Sequence, residues 1–248
     1  MITIKLIINA DDFGYSKAVN FGIVECYKNG VVSSATLMTN MPGVEHAFEL
    51  MKENPGLGVG IHLVLSAGRP ICNDVSSLVD EYGKFQRRED LLLNGKIEDV
   101  EKEFASQMEK FLASGFKPTH IDSHHHVHRH EKVLTVVLGL AKKYKLPVRL
   151  TSENSLCKGN TSIKTTDFFT GKFYGNDLSE EKFLEIINVD KKYKTVEVMC
   201  HPAYVDNILL SGSAYNVQRI KEFAILTNPM IKRELEKRGI NQINYRDI

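Results

Sequence analysis

Apolar and polar positions alternate along the chain on two periods. Short β-branched runs recur at intervals, and between them lie stretches with an apolar residue every third or fourth position. Residues 2–9 form such a run, suited to a strand buried on both faces. Ser16 is placed to N-cap a helix over 16–29 that stops at Gly30, with Ala18, Phe21, Ile23, Val24 and Tyr27 on its apolar side. Residues 33–39 predict a second strand, 43–53 a second helix ended by Pro55, and 57–65 a third strand with His62 near its end. Residues 66–96 are irregular and rich in Gly, Pro, Asn, Asp and Ser, and so long a loop in a compact domain is usually a lid or a substrate wall. Ile97, Val100, Phe104, Met108, Phe111 and Leu112 then recur at helical spacing before Gly115. A strand over 118–123, a helix over 133–144 and a strand over 147–150 follow. A second irregular stretch, 151–178, carries Phe168, Phe169, Phe173 and Tyr174. Ser179 opens a helix with Glu180 and Glu181 in its first turn, where the dipole favours them. A strand over 195–200 ends at His201-Pro202, and mostly helical sequence runs on to a last strand-like piece at 242–245.

Alternating strands and helices predict an α/β fold with a parallel sheet and helices outside it. No G-x-G-x-x-G follows the first strand, which counts against a dinucleotide site. Asp11 and Asp12, His62, the tract from Asp122 to His128, and His201 each fall at the C-terminal end of a predicted strand. On a (β/α) barrel those ends converge on one face, where such folds place their chemistry. With no linker, repeat or low-complexity tract, residues 1–248 read as one domain. Thirty-two basic against 31 acidic residues leave a net charge of +1, with no global pull toward nucleic acid or anionic membrane. No apolar run approaches the ~20 residues of a membrane span. The N-terminal run meets Asn9, Asp11 and Asp12 without a cleavage site, so it reads as a strand and not a signal peptide. Cys26, Cys72, Cys157 and Cys200 are widely spaced and read as reduced thiols of a cytoplasmic protein.

The unusual feature is the nine histidines, five of them between His120 and His128. A lone His62 on an apolar strand is more often a satisfied core histidine, and Asp11-Asp12 alone is more often a strand cap. Together they change the reading, because adjacent carboxylates are costly to bury unless paired or bound to a cation. Successive strand residues point to opposite sides, which predicts different jobs for the two aspartates, one a ligand and the other a base. In Asp122-Ser123-His124-His125-His126-Val127-His128, an extended chain puts His124, His126 and His128 on one face, whereas a helical turn pairs His124 with His128. Either way two imidazoles can reach one cation, and the surplus would orient ligands or contact substrate. One Asp and two His with open positions suit a hydrolytic or oxygenase metal site, not a closed structural one, for Zn²⁺, Co²⁺, Mn²⁺, Fe²⁺ or Ni²⁺, tolerant of Mg²⁺. His201, with a reference pKa near 6.5, is a candidate general acid. Metal, carboxylate base and imidazole acid are the equipment for amide or ester hydrolysis.

The stretches Asn9-Ala10-Asp11-Asp12-Phe13-Gly14, Gly60-Ile61-His62, the run from Pro118 to His128, Val198-Met199-Cys200-His201-Pro202-Ala203 and Tyr245-Arg246-Asp247 resemble the YdjC-like carbohydrate deacetylases, especially bacterial chitooligosaccharide deacetylases. The resemblance implies a distorted (β/α) barrel, removal of the N-acetyl group from N-acetylglucosamine units of short chitin oligomers, and a tendency to form homodimers. It also implies Asp12, His62 and His124 as metal ligands, Asp11 as base and His201 as acid. With no Trp in the chain, Phe13, Tyr15, Phe168, Phe169 and Tyr174 are the available platforms for a sugar ring. Arg69, Lys172 and Arg246 are candidates to meet a phosphorylated sugar. Two other readings compete: a metal-dependent sugar isomerase or phosphoesterase, which would want more acidic ligands, and a non-catalytic metal- or sugar-binding protein, which needs no base.

Overall fold

A computed structural model, which describes residues 4–149 and 163–248, shows seven parallel strands in one sheet. They are β1 (Lys5–Phe13), β2 (Ser34–Leu37), β3 (Gly58–Leu63), β4 (Ile121–Ser123), β5 (Phe168–Thr170), β6 (Thr195–Cys200) and β7 (Asn241–Gln242), in the order β4-β3-β2-β1-β6-β5 with β7 beside the start of β1. The sheet curls into the half-barrel of a distorted (β/α) barrel, wrapped by helices. These include α1 (Lys17–Asn29), α2 (Val44–Glu53), α3 (Arg88–Asn94), α4 (Ile97–Ala113), α5 (Glu131–Tyr144), α6 (Glu180–Ile186), α7 (Asn207–Gly212), α8 (Gln218–Leu226) and α9 (Pro229–Lys237). None of the described helices is long and apolar enough to cross a membrane.

Strand alternation divides the molecule into two environments. Leu6, Ile8 and Ala10 of β1 join Val196, Val198 and Cys200 of β6 in the main core beneath the helices. The opposite faces carry Asn9 and Asp11, Ser34 and Thr36, His62, Asp122 and Glu197, all buried, so the inside of the barrel is polar. Space there is tight. A Cβ on Gly60 would stand 2.4 Å from His120 Nδ1 and 2.8 Å from the His120 carbonyl oxygen, so glycine is what admits the His120 ring.

Ser16 caps α1 through the Val19 N–H, and Ser179 caps α6 through the Lys182 N–H, as their positions predict. On α4, Val100, Phe104, Met108 and Phe111 are buried, as the spacing requires. Five expectations change. β1 runs on to Phe13, so both aspartates belong to the strand. Phe21 is exposed, and Asn20, Gly22 and Cys26 take the buried side of α1. The stretch 66–96 contains α3, and the described part of 151–178 contains β5. The strand expected at 147–150 reduces to one bridge, Val148 to Ile121, with Leu150 outside the described residues. At the C-terminus β7 is followed by a 3-10 turn, Tyr245–Asp247. Cys26, Cys72 and Cys200 are free thiols, and Cys157 lies outside the described residues.

Gly60→Ala should lower stability by about 1–3 kcal/mol through overpacking against His120. For a chain of this size that is a fall of several degrees in Tm. A thermal melt indistinguishable from the parent protein's would refute the packing argument.

Candidate metal centre and its cavity

β1 does not deliver its two aspartates by simple alternation. Its register against β2 shifts between Ala10 and Phe13, and Asp12 has φ 69°. A bulge of this kind re-aims side chains, and it turns both Asp11 and Asp12 into the same cavity. The two carboxylates therefore differ in their partners and not in their direction. The Arg149 guanidinium donates to both Asp11 oxygens at 2.7 Å, and Asn9 Nδ2 donates to Oδ1 at 2.9 Å. Asp12 Oδ2 accepts from Arg219 at 2.7 Å, while Oδ1 lies 2.9 Å from His124 Nδ1 and 3.4 Å from His62 Nε2.

Burial would lift the Asp11 carboxyl, but the charge and hydrogen bonds of Arg149 outweigh it and hold the group well below the usual carboxylate range. Asp12 is likewise held low, by Arg219 and then His124 acting against burial. His62 shows the converse. Burial would lower it, yet the Asp122 carboxylate and the hydrogen bonds to Asp12 and Asp122 push it up to about 10.

His62 Nδ1 is 2.7 Å from Asp122 Oδ1. A carboxylate only accepts, so that nitrogen carries the proton and Nε2 is the one turned toward Asp12. Asp122 Oδ2 in turn accepts from Thr36 at 3.1 Å and pairs with Arg149 at 2.7 Å. Ligand atoms of Asp12, His62 and His124 lie within 4.8 Å of one another. Asp12 Oδ1 is buried between the two imidazoles, 2.9 Å from His124 Nδ1 and 3.4 Å from His62 Nε2, and this mixed oxygen and nitrogen donor set fits a bound cation.

The histidine tract takes neither of the two expected conformations. His124–Arg129 is a 3-10 turn in which His125 and His126 have left-handed backbone, φ 52° and 51°. His124 faces Asp12, His128 turns inward to hydrogen-bond Ser123 Oγ, and His125 and His126 line the cavity. His120 is buried beneath the site, stacked on Tyr245 with ring centroids 3.7 Å apart.

His201 stands across the cavity, and its backbone N–H donates to Glu222, which also accepts from the Tyr215 hydroxyl. Burial pushes the His201 imidazole down to about 4, against the raising influence of Asp12 and Asp11. The cavity has a volume of about 740 Å³, with Phe168, Phe169, Tyr174 and Tyr215 among its walls and Arg88, Arg129 and Lys172 as cations. Phe13 and Tyr15, expected as sugar platforms, are buried core residues, because bulky side chains beside the bulge pack under the helices. Arg69 and Arg246 instead donate to the carbonyls of Gly83, and of Gly56 and Leu57, away from the cavity. Residue typing had missed Arg149, Glu197, Arg219 and Tyr215.

Fold and site together define a (β/α) barrel with an open Asp/His centre at the strand ends. A family model described as YdjC-like protein matches residues 5–237, and the chain belongs to that family. It is 50% identical over 241 residues to a carbohydrate deacetylase of Geobacillus stearothermophilus, covering 97% of this chain and 96% of that one. It is 41% identical over 252 residues to a chitooligosaccharide deacetylase of Yersinia enterocolitica, covering 98% of each. A crystal structure from Enterococcus faecalis, assigned by name to cellobiose-phosphate cleavage, superposes with TM-score 0.93 at 38% identity over 99% of this chain and 98% of that one. A family 4 carbohydrate esterase from Streptomyces lividans shares the fold, with TM-score 0.54 at 11% identity over 98% and 93% of the two chains.

Arg149→Met leaves buried carboxylates without their cation and should cost about 3–5 kcal/mol, read as a lower midpoint in urea denaturation. Glu222 gives a pH test. Burial raises its carboxyl to about 8, whereas an unfolded Glu titrates near 4.3. A raised folded-state value stabilises below the unfolded value, and that contribution is lost as pH rises through about 8. Glu222→Gln should therefore flatten the decline in unfolding free energy between about pH 5 and 8. An equally steep decline in the variant would contradict the assignment.

Proposed function

We propose that this chain is a metal-dependent carbohydrate deacetylase that hydrolyses the N-acetyl group of N-acetylglucosamine units in short chitin oligosaccharides. The observation that carries this reading is the gathering of Asp12, His62 and His124 at the base of an aromatic-walled cavity, with Asp11 and His201 on its lining. Asp12, His62 and His124 would hold one divalent ion, and their mixed oxygen and nitrogen donors suit Zn²⁺, Co²⁺, Mn²⁺ or Ni²⁺ and tolerate Mg²⁺. When bound, such an ion polarises a carbonyl and lowers the pKa of nearby water.

The chain's own residues supply the proton handling. Asp11 accepts the proton of the attacking water, and the Arg149 fork keeps it ionised and correctly aimed. Its strong pairing makes it a weak base, so its contribution depends on position more than on basicity. His201 is neutral at rest, and the negative charge developing on the hydrated amide favours its imidazolium. The proton it gains is the one Asp11 took from the attacking water, and His201 delivers it to the amine nitrogen as the C–N bond breaks and acetate leaves. Phe168, Phe169, Tyr174 and Tyr215 offer faces for sugar rings. Arg88, Arg129 and Lys172 on the same cavity favour a phosphorylated disaccharide as well as the neutral one.

Metal-loaded protein should release acetate from N,N′-diacetylchitobiose or its 6-phosphate, and release from neither would sink the substrate assignment. Asp11→Asn should keep its metal and lose ~10²–10⁴ in rate. His62→Ala should lose the metal, read by elemental analysis; equal occupancy in both proteins would refute the ligand assignment.

A further inference from the structure

The histidine tract supplies more imidazoles than the centre uses. Between His124, which faces Asp12, and His128, which turns back onto Ser123, two consecutive residues project into the cavity. An extended chain would send neighbouring side chains to opposite sides. The left-handed pair instead brings both to one side, in a conformation that costs non-glycine residues free energy and is retained where the site needs it. Neither His125 nor His126 belongs to the clusters of possible metal ligands among the described residues. His126 Nδ1 is buried without a hydrogen-bond partner, and its ring stands edge-on to Phe169 with centroids 5.7 Å apart. His125 is exposed, its Nδ1 held 2.9 Å from Ser66 Oγ and its ring 3.9 Å from that of His124.

We propose that His125 and His126 are the sugar-recognising pair of this site, hydrogen-bonding hydroxyls of the pyranose rings at and beside the reacting unit. An imidazole offers one donor and one acceptor, which matches hydroxyls that do both. Phe169 beside His126 supplies the apolar contact that such rings also need. The strained turn fixes the direction of both rings before substrate arrives, so little ordering remains to be done on binding. This assignment rests on the reading of the cavity as a carbohydrate site.

His126→Asn is the informative variant, because asparagine tolerates left-handed backbone and withdraws the imidazole. His126→Gly, for which that backbone is unstrained, guards against misfolding of the first. Binding of N,N′-diacetylchitobiose is measured by calorimetry in an Asp11→Asn background, alongside KM, kcat and metal content in the active protein. Kd and KM should rise about tenfold in both variants, the scale of one lost hydrogen bond. The change in kcat should be smaller and the metal stoichiometry unaltered. Unchanged sugar affinity in both variants, loss of metal in parallel with activity, or a parent protein that binds no acetylated sugar would each overturn the proposal. Sugar binding that depends on His126, in a protein that releases no acetate, would instead defeat the hydrolase reading and leave recognition standing.

Discussion

Arg149 is a fully buried guanidinium surrounded by acids, and the polar interior of the barrel is organised around it. It bonds Asp11 through both terminal nitrogens, pairs with Asp122, and reaches Glu197 at 2.8 Å. Barrels of this class usually fill their interior with layers of branched apolar side chains. Here the alternation of β1, β2, β3, β4 and β6 sends Asp11, Thr36, His62, Asp122 and Glu197 inward instead. Such a set is expensive to desolvate, and it survives only because almost every oxygen has a charged or hydroxyl partner. Through Asp122 the same cation fixes the orientation of His62, and through Asp11 it places the proposed base. Asp11, Asp12, Asp122 and Glu197 face Arg149 and Arg219.

Backbone strain is concentrated at the same place. Among the described residues, Asp12, His125, His126 and Lys145 are the non-glycine residues with positive φ. Lys145 is the left-handed C-cap of α5, an ordinary use of that conformation. The other three line or adjoin the cavity, where they override the directions that strand and helix would impose. Strain of this kind persists only when the surroundings over-determine it. The ion pairs of Asp12, the Ser66 contact of His125 and the inward hydrogen bond of His128 supply that determination.

Much of this was legible in the sequence, and the misses have physical reasons. Runs buried on both faces announced β1, β2, β3 and β6, and Ser16 and Ser179 marked helix starts that their hydroxyls do cap. α3 and β5 were hidden because each is short and embedded in polar sequence, so neither periodicity had room to develop. Asp11, Asp12, His62, His124 and His201 stood out as metal or proton chemistry because their side chains are diagnostic. Arg149 and Glu197 did not, although a usable signal was present. Each is a lone charge inside an otherwise apolar strand-like run, Pro147-Val148-Arg149 and Val196-Glu197-Val198. A charge in such a setting must be paired, and two of opposite sign in different strands are natural partners. Strand alternation failed at Asp11-Asp12 and helical spacing failed at His125-His126, because a bulge and a left-handed turn intervene.

The network does not end at the strand ends. Glu197 also accepts a hydrogen bond from the hydroxyl of Tyr245, whose ring stacks on His120. Burial pushes the Glu197 carboxyl up to about 7, against the lowering effects of Arg149 and Tyr245, so this acid sits where its charge is only just sustained. Tyr245 reaches it because β7 pairs with the start of β1 and the capping box of Asn244 and Asp247 closes the turn that follows. The C-terminal turn packs Ile243 and Tyr245 against Ile7 in a small cluster of their own beside the start of β1. Water admitted there would compete for every bond around Glu197 and loosen the grip of Arg149 on Asp11. The last residues of the chain thus help to keep dry the charges on which the first strand's aspartates depend.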